Sequence, residues 1–93
     1  MIVGFASRET ELIWSGWRSR KLPSDIQSIA LRKLRMLNQA RVLADRRVPP
    51  ANRLEALRGS RAGQHSIRVN DQWRICFRWS SNGASDVEII DYH

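Results

Sequence analysis

The chain has 93 residues, of which 42% are hydrophobic, and its sixteen basic and nine acidic residues give a formal charge of +7. This length predicts a single domain over residues 1–93 with a thin but adequate core, which argues against disorder. No stretch reads as a signal peptide or a membrane span, so we expect no membrane partner. The single cysteine, Cys76, excludes an internal disulfide and is typical of a reducing, cytoplasmic setting.

The basic residues are almost all of one type, since fourteen of the sixteen are arginine. A guanidinium grips phosphate through two parallel hydrogen bonds, whereas a lysine ammonium acts as a point charge. The bias therefore favours nucleic acid, an acidic protein, or both in turn as partners. A GC-rich genome that encodes arginine wherever a positive charge is needed is the alternative explanation.

The first part of the chain predicts a strand and then a helix. Met1–Phe5 is a short apolar run that can start a strand. Ser7 as N-cap and Glu9 in the first turn predict a helix that continues to Trp17. The residues expected on its buried stripe are Thr10, Ile13, Trp14 and Trp17.

A second, longer helix is predicted over residues 24–42, with Ser24 or Asp25 as its cap. Apolar residues recur there at helical spacing and predict one buried stripe. Its members are Ile26, Ile29, Ala30, Leu34, Leu37 and Ala40, with Arg32, Lys33 and Arg35 largely off it. Two consecutive prolines then predict a loop over Arg46–Asn52.

The strand-rich half contains two runs that alternate between apolar and polar residues, His65–Val69 and Trp73–Trp79. Successive side chains of a strand point to opposite faces. One face therefore collects Trp73, Ile75, Phe77 and Trp79, and the other collects Arg74, Cys76 and Arg78. The first face can bury against helices, while the second presents guanidinium groups to an anion.

The turn signal Ser80-Ser81-Asn82-Gly83 predicts a hairpin, and Asp86–Tyr92 predicts the last strand. The layout is β-α-α-β-β-β-β. Short turns between the last strands imply antiparallel neighbours. The expected fold class is α+β, with two N-terminal helices packed on one face of a small, mainly antiparallel twisted sheet.

A set of polar residues in this half suits RNA cleavage through the neighbouring ribose 2′-OH. That reaction must remove the hydroxyl proton, stabilise the extra phosphorane charge and protonate the departing 5′-oxygen. Arginine keeps its proton, so Arg58 and Arg74 can only stabilise charge. His93 can act as acid or base near neutral pH. Tyr92 can stack on a base or orient phosphate, and Asp91 can fix the imidazole or accept a proton.

No metal or cofactor is expected, since the chain has no Gly-rich phosphate loop, Cys/His metal spacing or Ser–His–Asp pattern. Each candidate also has a structural explanation. A terminal Asp-Tyr-His is a frayed tail in most proteins, and arginines on strands are usually solvated or salt-bridged. His65 and Cys76 are more typical of structural roles, and Trp73 and Trp79 of core packing than of base stacking.

The segment LEALRGSRAGQHSIRVNDQWRICFRW, with VEIIDYH at the end, resembles the HigB/GraT branch of the RelE/ParE-type toxins of bacterial toxin–antitoxin systems. The resemblance covers essentially the whole chain and implies a RelE-like fold. It also implies a ribosome-dependent endoribonuclease (an mRNA interferase) that cuts translated mRNA without metal and inhibits translation and growth. A HigA-like helix-turn-helix antitoxin would neutralise it, with operator DNA contacted only through that antitoxin.

Carried over by position, the resemblance places the active centre on Arg58, Arg74, Asp91, Tyr92 and His93. Some relatives have a histidine where this chain has Glu55. Glutamate can replace that histidine as a proton acceptor, but it cannot stabilise anionic charge. The wider basic surface expected to dock on RNA and the ribosome is Arg32, Lys33, Arg61, Arg68 and Arg78.

Two other functions stay open. The first is a non-enzymatic inhibitor, since ParE-type relatives poison DNA gyrase by binding alone. Those relatives lack the terminal acid/base residues, so the ending Asp91-Tyr92-His93 disfavours this alternative. A structural partner of the antitoxin that serves only in operator binding is the second.

Overall fold

The computed structural model describes residues 1–43 and 52–92. Its elements are α1 (Arg8–Trp14), α2 (Ser24–Gln39), β1 (Glu55–Ala56), a 3₁₀ turn (Gly59–Arg61), β2 (His65–Arg68), β3 (Trp73–Ser80) and β4 (Gly83–Asp91). The four strands form one sheet in the order β1-β2-β3-β4, and every neighbouring pair is antiparallel. The predicted α+β class, two helices followed by an antiparallel sheet, is confirmed.

The predicted first strand is present as two isolated bridges. Ile2 pairs with Ala84 and Phe5 pairs with Val87, both parallel to β4. The N-terminal segment therefore lies along β4, the only parallel pairing among the described residues. Gly83 permits this approach because its φ is 119° and a Cβ there would collide with the main-chain oxygen of Met1.

Helix α1 begins as predicted and ends earlier than predicted. The Ser7 hydroxyl accepts a hydrogen bond from the Thr10 amide at 3.1 Å, which confirms the N-cap. The helix ends at Trp14, and Gly16 then adopts a φ of 92° that turns the chain away from the helix axis. The placement of Trp17 on the buried stripe was wrong, since Trp17 is 70% exposed.

Helix α2 ends at Gln39, because Ala40 has an extended conformation with ψ of 132°. Its N-cap is Pro23 and no side chain caps it, so the predicted capping by Ser24 or Asp25 was wrong. Proline fits a helix start because its φ is already near the helical value. The predicted apolar stripe is confirmed: Ile29 is partly buried and the other members are buried, namely Ile26, Ala30, Leu34, Leu37 and Ala40.

The core lies between the helices and one face of the sheet. The predicted apolar face of β3 is confirmed, with Ile75 and Phe77 fully buried and Trp73 and Trp79 packed against the core. Residues from all the other layers complete the core: Ile13, Ile26, Ala30, Leu34, Leu37, Ile67, Val69, Ala84, Val87 and Ile89. The opposite face of the sheet remains available for polar side chains.

The predicted hairpin is confirmed, because β3 ends at Ser80 and β4 begins at Gly83. Strand β4 starts earlier than predicted and contains an irregularity opposite Cys76 and Arg78. Asp86 has a φ of 50° at this point, which marks a local distortion of the strand.

Most of the predicted loop Arg46–Asn52 lies outside the described residues, and Asn52 itself is buried. None of the helices in residues 1–43 and 52–92 is long and apolar enough to cross a lipid bilayer.

Candidate active site on the polar face of the sheet

Four polar side chains meet on the face of the sheet opposite the core. Arg74 on β3 pairs directly with Arg68 on β2, and Glu55 on β1 pairs with Ser66 on β2. Directly paired residues of an antiparallel sheet point to the same face, and so do residues two apart in one strand. The strand register therefore puts Glu55, Ser66, Arg68 and Arg74 on one face as neighbours.

The guanidinium of Arg74 is fixed by one of its nitrogens. Nη1 donates hydrogen bonds to Ser66 Oγ at 2.9 Å and to the main-chain oxygen of Arg53 at 3.4 Å. The same nitrogen lies 3.0 Å from Glu55 Oε1, and the Arg74 side chain is only 13% exposed. Within the described residues no hydrogen bond engages Nη2 or Nε. These two nitrogens can therefore donate two parallel hydrogen bonds to one oxyanion.

The end of β4 brings an aromatic ring against the Arg74 guanidinium. The Arg74 Cζ lies 5.1 Å from the centre of the Tyr92 ring, a cation–π distance. The Tyr92 amide donates to the Gln72 carbonyl at 2.7 Å, and Gln72 Nε2 donates to Asp91 Oδ2 at 3.0 Å. Gln72 thus holds both residues at the end of β4. Asp91 pairs directly with Trp73, so its side chain lies on the face of the sheet opposite to Arg74.

Arg74 and Tyr92 border an open groove with a volume of about 330 Å³, which is a candidate ligand site. Its lining residues are Arg53, Arg68, Asn70, Asp71, Arg74 and Tyr92. Three guanidinium groups face one carboxylate there, and that carboxylate, Asp71, is ion-paired with Arg68. The groove is therefore suited to an anion.

The pairing of Arg68 with Arg74 places two like charges directly across two strands, an unfavourable arrangement. Each arginine has its own acidic neighbour. Asp71 pairs with Arg68, and Glu55 pairs with Arg74. These two carboxylates offset the repulsion between the guanidinium groups, so both groups can stay on the same face without a bound anion. The site is therefore already formed before an anion binds.

Lys33 does not lie on the exposed basic surface where the sequence pattern placed it. The residue is 9% exposed, and Nζ donates to the main-chain oxygen of Arg68 at 2.7 Å. Burial lowers the pKa of Lys33, and the positive charges of Arg32 and Arg68 lower it further. Lys33 lies three residues after Ala30, on the buried side of α2. Its helical spacing therefore indicated a buried side chain, although its charge suggested an exposed one.

Two predicted residues are exposed and do not join the Arg74 cluster. Arg58 is the residue before the 3₁₀ turn, and Arg32 lies on the outer face of α2. No contact in the described part of the chain links either side chain to Arg74. His93 lies outside the described residues.

The remaining two predicted arginines are salt-bridged further along the sheet. Arg61 Nη1 lies 2.9 Å from Glu88 Oε1, and Arg78 Nε lies 3.4 Å from Asp86 Oδ2. Both pairs are partly exposed, so each guanidinium keeps contact with solvent. They extend the positive face of the sheet away from the groove.

His65 and Cys76 have structural surroundings, as the sequence pattern favoured. The His65 ring stacks on Phe77 with 6.2 Å between ring centres. Cys76 is fully buried, and burial raises the pKa of its thiol; Glu88 raises it further, while Arg61 and Arg74 act in the opposite direction. Among residues 1–43 and 52–92, no three His, Cys, Asp or Glu side chains cluster as metal ligands.

Three contributors to the site were missed from sequence. Ser66 occupies the polar face next to Arg74, and its strand alternation could have identified it. Gln72 acts through a turn that no pattern specified. Arg53 contributes its main-chain oxygen from a left-handed conformation with φ of 49°, for which the sequence offers no signal.

Comparison with known proteins identifies the family. A family model described as the RelE-like toxin of the type II toxin–antitoxin system HigB matches residues 11–93. Toxin HigB-1 of Vibrio cholerae serotype O1 is 47% identical over 76 residues, which cover 82% of this chain and 79% of that protein. An uncharacterized protein of Haemophilus influenzae is 36% identical over 73 residues, 78% of this chain and 71% of the relative. The chain therefore belongs to the HigB-like toxins of type II toxin–antitoxin systems.

Proposed function

We propose that this toxin is a ribosome-dependent endoribonuclease that cuts mRNA during translation and so inhibits growth. Membership of the HigB-like family supports a toxin, and the environment of Arg74 supports an RNA phosphate as its target. The single observation that carries the proposal is that Arg74, fixed through Nη1, lines an open basic groove while no described residue hydrogen-bonds its Nη2 or Nε.

The phosphate-binding step follows from this geometry. Two parallel N–H groups of Arg74 would hold the non-bridging oxygens of the scissile phosphate. The low exposure of the guanidinium keeps competing water away, which strengthens its interaction with the extra charge of the phosphorane. Arg58 is expected to approach from the turn after β1 and supply a second positive charge. Tyr92 would position the nucleotide, since its ring already lies against the Arg74 guanidinium.

The proton transfers need groups that titrate, and arginine is not one of them. The 2′-OH loses its proton as the 2′-oxygen bonds to phosphorus, and the 5′-oxygen gains a proton as its bond to phosphorus breaks. Asp91 and His93 would carry these two protons, with Glu55 as a further acceptor beside the phosphate. These side chains can complete the reaction by acid–base chemistry alone, so no metal or cofactor is required.

The wider positive surface would bind ribosomal RNA. Arg32, Arg61, Arg68 and Arg78 each present a guanidinium to solvent or to the polar face of the sheet, and backbone phosphates attract such groups independently of sequence. Lys33 is left out of this surface because it is buried; its role would be to support the main chain at Arg68.

The partners follow from the toxin class. A HigA-like helix-turn-helix antitoxin is expected to neutralise the toxin in the cytoplasm and to mediate any contact with operator DNA.

The decisive experiment maps new mRNA 5′ ends in an actively translating extract with wild-type toxin and with Arg74→Lys. Lysine keeps the charge but lacks the planar fork. We expect discrete cleavage sites with wild type and a loss of about 100-fold or more in cleavage rate with the variant. Arg74→Ala and deletion of Tyr92 and His93 should likewise relieve growth inhibition.

Circular dichroism and thermal melts control for folding, because Arg74→Ala removes the partner of the buried Ser66 hydroxyl. Full toxicity in folded variants would contradict the catalytic assignment. Growth inhibition without new 5′ ends would instead indicate a non-enzymatic, ParE-like inhibitor that acts by occupying gyrase or another target.

A further inference from the structure

Trp17 is the most exposed large hydrophobic side chain in the described part of the chain, at 70%. It lies in the connection between α1 and α2, directly after Gly16. Leaving an indole in water forgoes the burial of one of the largest apolar surfaces that any residue has. An exposed Trp of this kind on a small domain calls for a partner.

The loop that carries Trp17 is firmly held. Gln27 and Ser19 are buried and form a reciprocal pair: the Ser19 amide donates to Gln27 Oε1 at 3.0 Å, and Gln27 Nε2 donates to the Ser19 carbonyl at 2.9 Å. The Ser19 hydroxyl also donates to Glu9 Oε1 at 2.6 Å. The Trp17 amide itself bonds the Leu12 carbonyl at 2.9 Å. The main chain that carries Trp17 is therefore held in place, which reduces the entropy lost on binding.

Trp17 lines two clefts. The first has a volume of about 330 Å³ and includes Leu12 in its lining. The second has a volume of about 230 Å³ and is lined in part by Ile13 and Leu31. Each is large enough for one or two aliphatic side chains. Trp17 with these two clefts is called the Trp17 surface below.

The rim of the Trp17 surface is positively charged. Arg8 borders the first cleft and Arg18 the second. Arg20 and Lys21 follow in the same loop and are exposed. Glu11 is the one acidic residue in the linings of the two clefts. A partner with carboxylates around an apolar centre would complement this arrangement.

The Trp17 surface is distinct from the groove around Arg74, because the two have no lining residue in common. The groove is formed by β2, β3 and the segments next to the strands, whereas the Trp17 surface is formed only by α1, α2 and their connection.

We infer that the Trp17 surface is the docking site of the antitoxin, and that it takes an apolar segment flanked by acidic residues. Family membership already implies an antitoxin partner, so the inference does not depend on the proposed nuclease activity. RNA is the less suitable occupant: a base could stack on the indole, but the clefts are lined by Leu12, Ile13 and Leu31, which suit aliphatic side chains. Central aromatic anchors beside arginines are typical of the energetic centres of protein interfaces.

The test measures the affinity of the purified full chain for its cognate antitoxin by calorimetry, comparing wild type with Trp17→Ala. Val42→Ala is the matched control, because Val42 is also exposed and apolar but lines neither cleft. Trp17→Ala should weaken binding by about 30-fold or more, as loss of a central anchor does. Val42→Ala should bind as wild type does.

Two further measurements separate the kinds of partner. Arg18→Glu should weaken antitoxin binding by about tenfold through lost charge complementarity, and the wild-type affinity should fall as salt is added. Co-sedimentation with ribosomes should be the same for wild type and Trp17→Ala. Unchanged antitoxin affinity in folded Trp17→Ala would overturn the inference, and so would any loss of ribosome binding in that variant, which would assign the surface to RNA.

Discussion

At the scale of single residues, the environment of a side chain decides whether its charge is used for structure or kept for a ligand. Arg74 combines both uses, since its Nη1 is bound within the protein and the residue also lines the groove. Lys33 serves structure alone, because its ammonium is bonded to the Arg68 carbonyl. Cys76 is kept neutral, because burial raises the pKa of its thiol.

The raised pKa of Cys76 predicts a loss of stability at alkaline pH. Above the ordinary thiol value of 9.0 the unfolded chain loses the proton while the native thiol keeps it, so the native state binds more protons. The free energy of unfolding should then fall as pH rises, by at most about 1.4 kcal/mol per pH unit from this group. Urea unfolding of wild type and Cys76→Ala at several alkaline pH values measures the difference.

Lys33 acts in the opposite direction in this range, because its lowered pKa makes stability rise with pH below its ordinary value of 10.5. Both proteins in the comparison contain Lys33, so its contribution cancels. Parallel pH profiles for wild type and Cys76→Ala would contradict the prediction.

At the scale of elements, the two helices begin in different ways. Helix α1 has a side-chain cap, in which the Ser7 hydroxyl accepts from the Thr10 amide. Helix α2 follows Pro23 and has no side-chain cap, although Ser24 stands at its first position. The same residue type therefore stands at two helix starts and caps the helix at only one of them.

This difference predicts unequal effects of the same substitution. Ser7→Ala should lower the free energy of unfolding by about 1 kcal/mol, because the Thr10 amide loses its acceptor. Ser24→Ala is the matched control and should change it by less than about 0.5 kcal/mol. Chemical denaturation of both variants provides the measurement, and equal losses would show that the Ser7 hydrogen bond is not what stabilises the start of α1.

At the scale of the whole molecule, one buried hydrogen bond joins the first helix to the last strand. The Thr10 hydroxyl accepts from the Ile89 amide at 2.9 Å, and Thr10 is fully buried. The N-terminal segment also pairs with β4 through the bridges at Ile2 and Phe5. Contacts between distant parts of the chain thus hold β4, which leads into the candidate active site, in place.

Thr10→Val should destabilise the protein by about 1–3 kcal/mol, because it leaves the buried Ile89 amide without an acceptor while nearly conserving volume. Amide hydrogen exchange should show faster exchange at Ile89 in this variant. Thr10→Ser retains the hydroxyl and is the control, so it should preserve the protection of that amide. Equal protection of Ile89 in wild type and Thr10→Val would contradict the role of this bond.

The sequence by itself determined the features that depend on local periodicity. The buried face of β3, the apolar stripe of α2 and the hairpin at Ser80 to Gly83 all follow from spacing or turn chemistry within a few residues. Such patterns can be recognised in the sequence because each depends on residues that are close together along the chain. The active centre that the resemblance implies stays a prediction; its members are Glu55, Arg58, Arg74, Asp91, Tyr92 and His93.

Only the tertiary structure decided which side chains meet. The contact of Arg74 with Glu55 depends on the register of three strands, and the loop that carries Trp17 is held by the buried pair of Ser19 and Gln27. Helical spacing puts Lys33 on the buried side of α2, but only the fold supplies the Arg68 carbonyl that accepts from its ammonium. These outcomes depend on partners distant in sequence, which periodicity cannot specify because it records only which face a residue occupies.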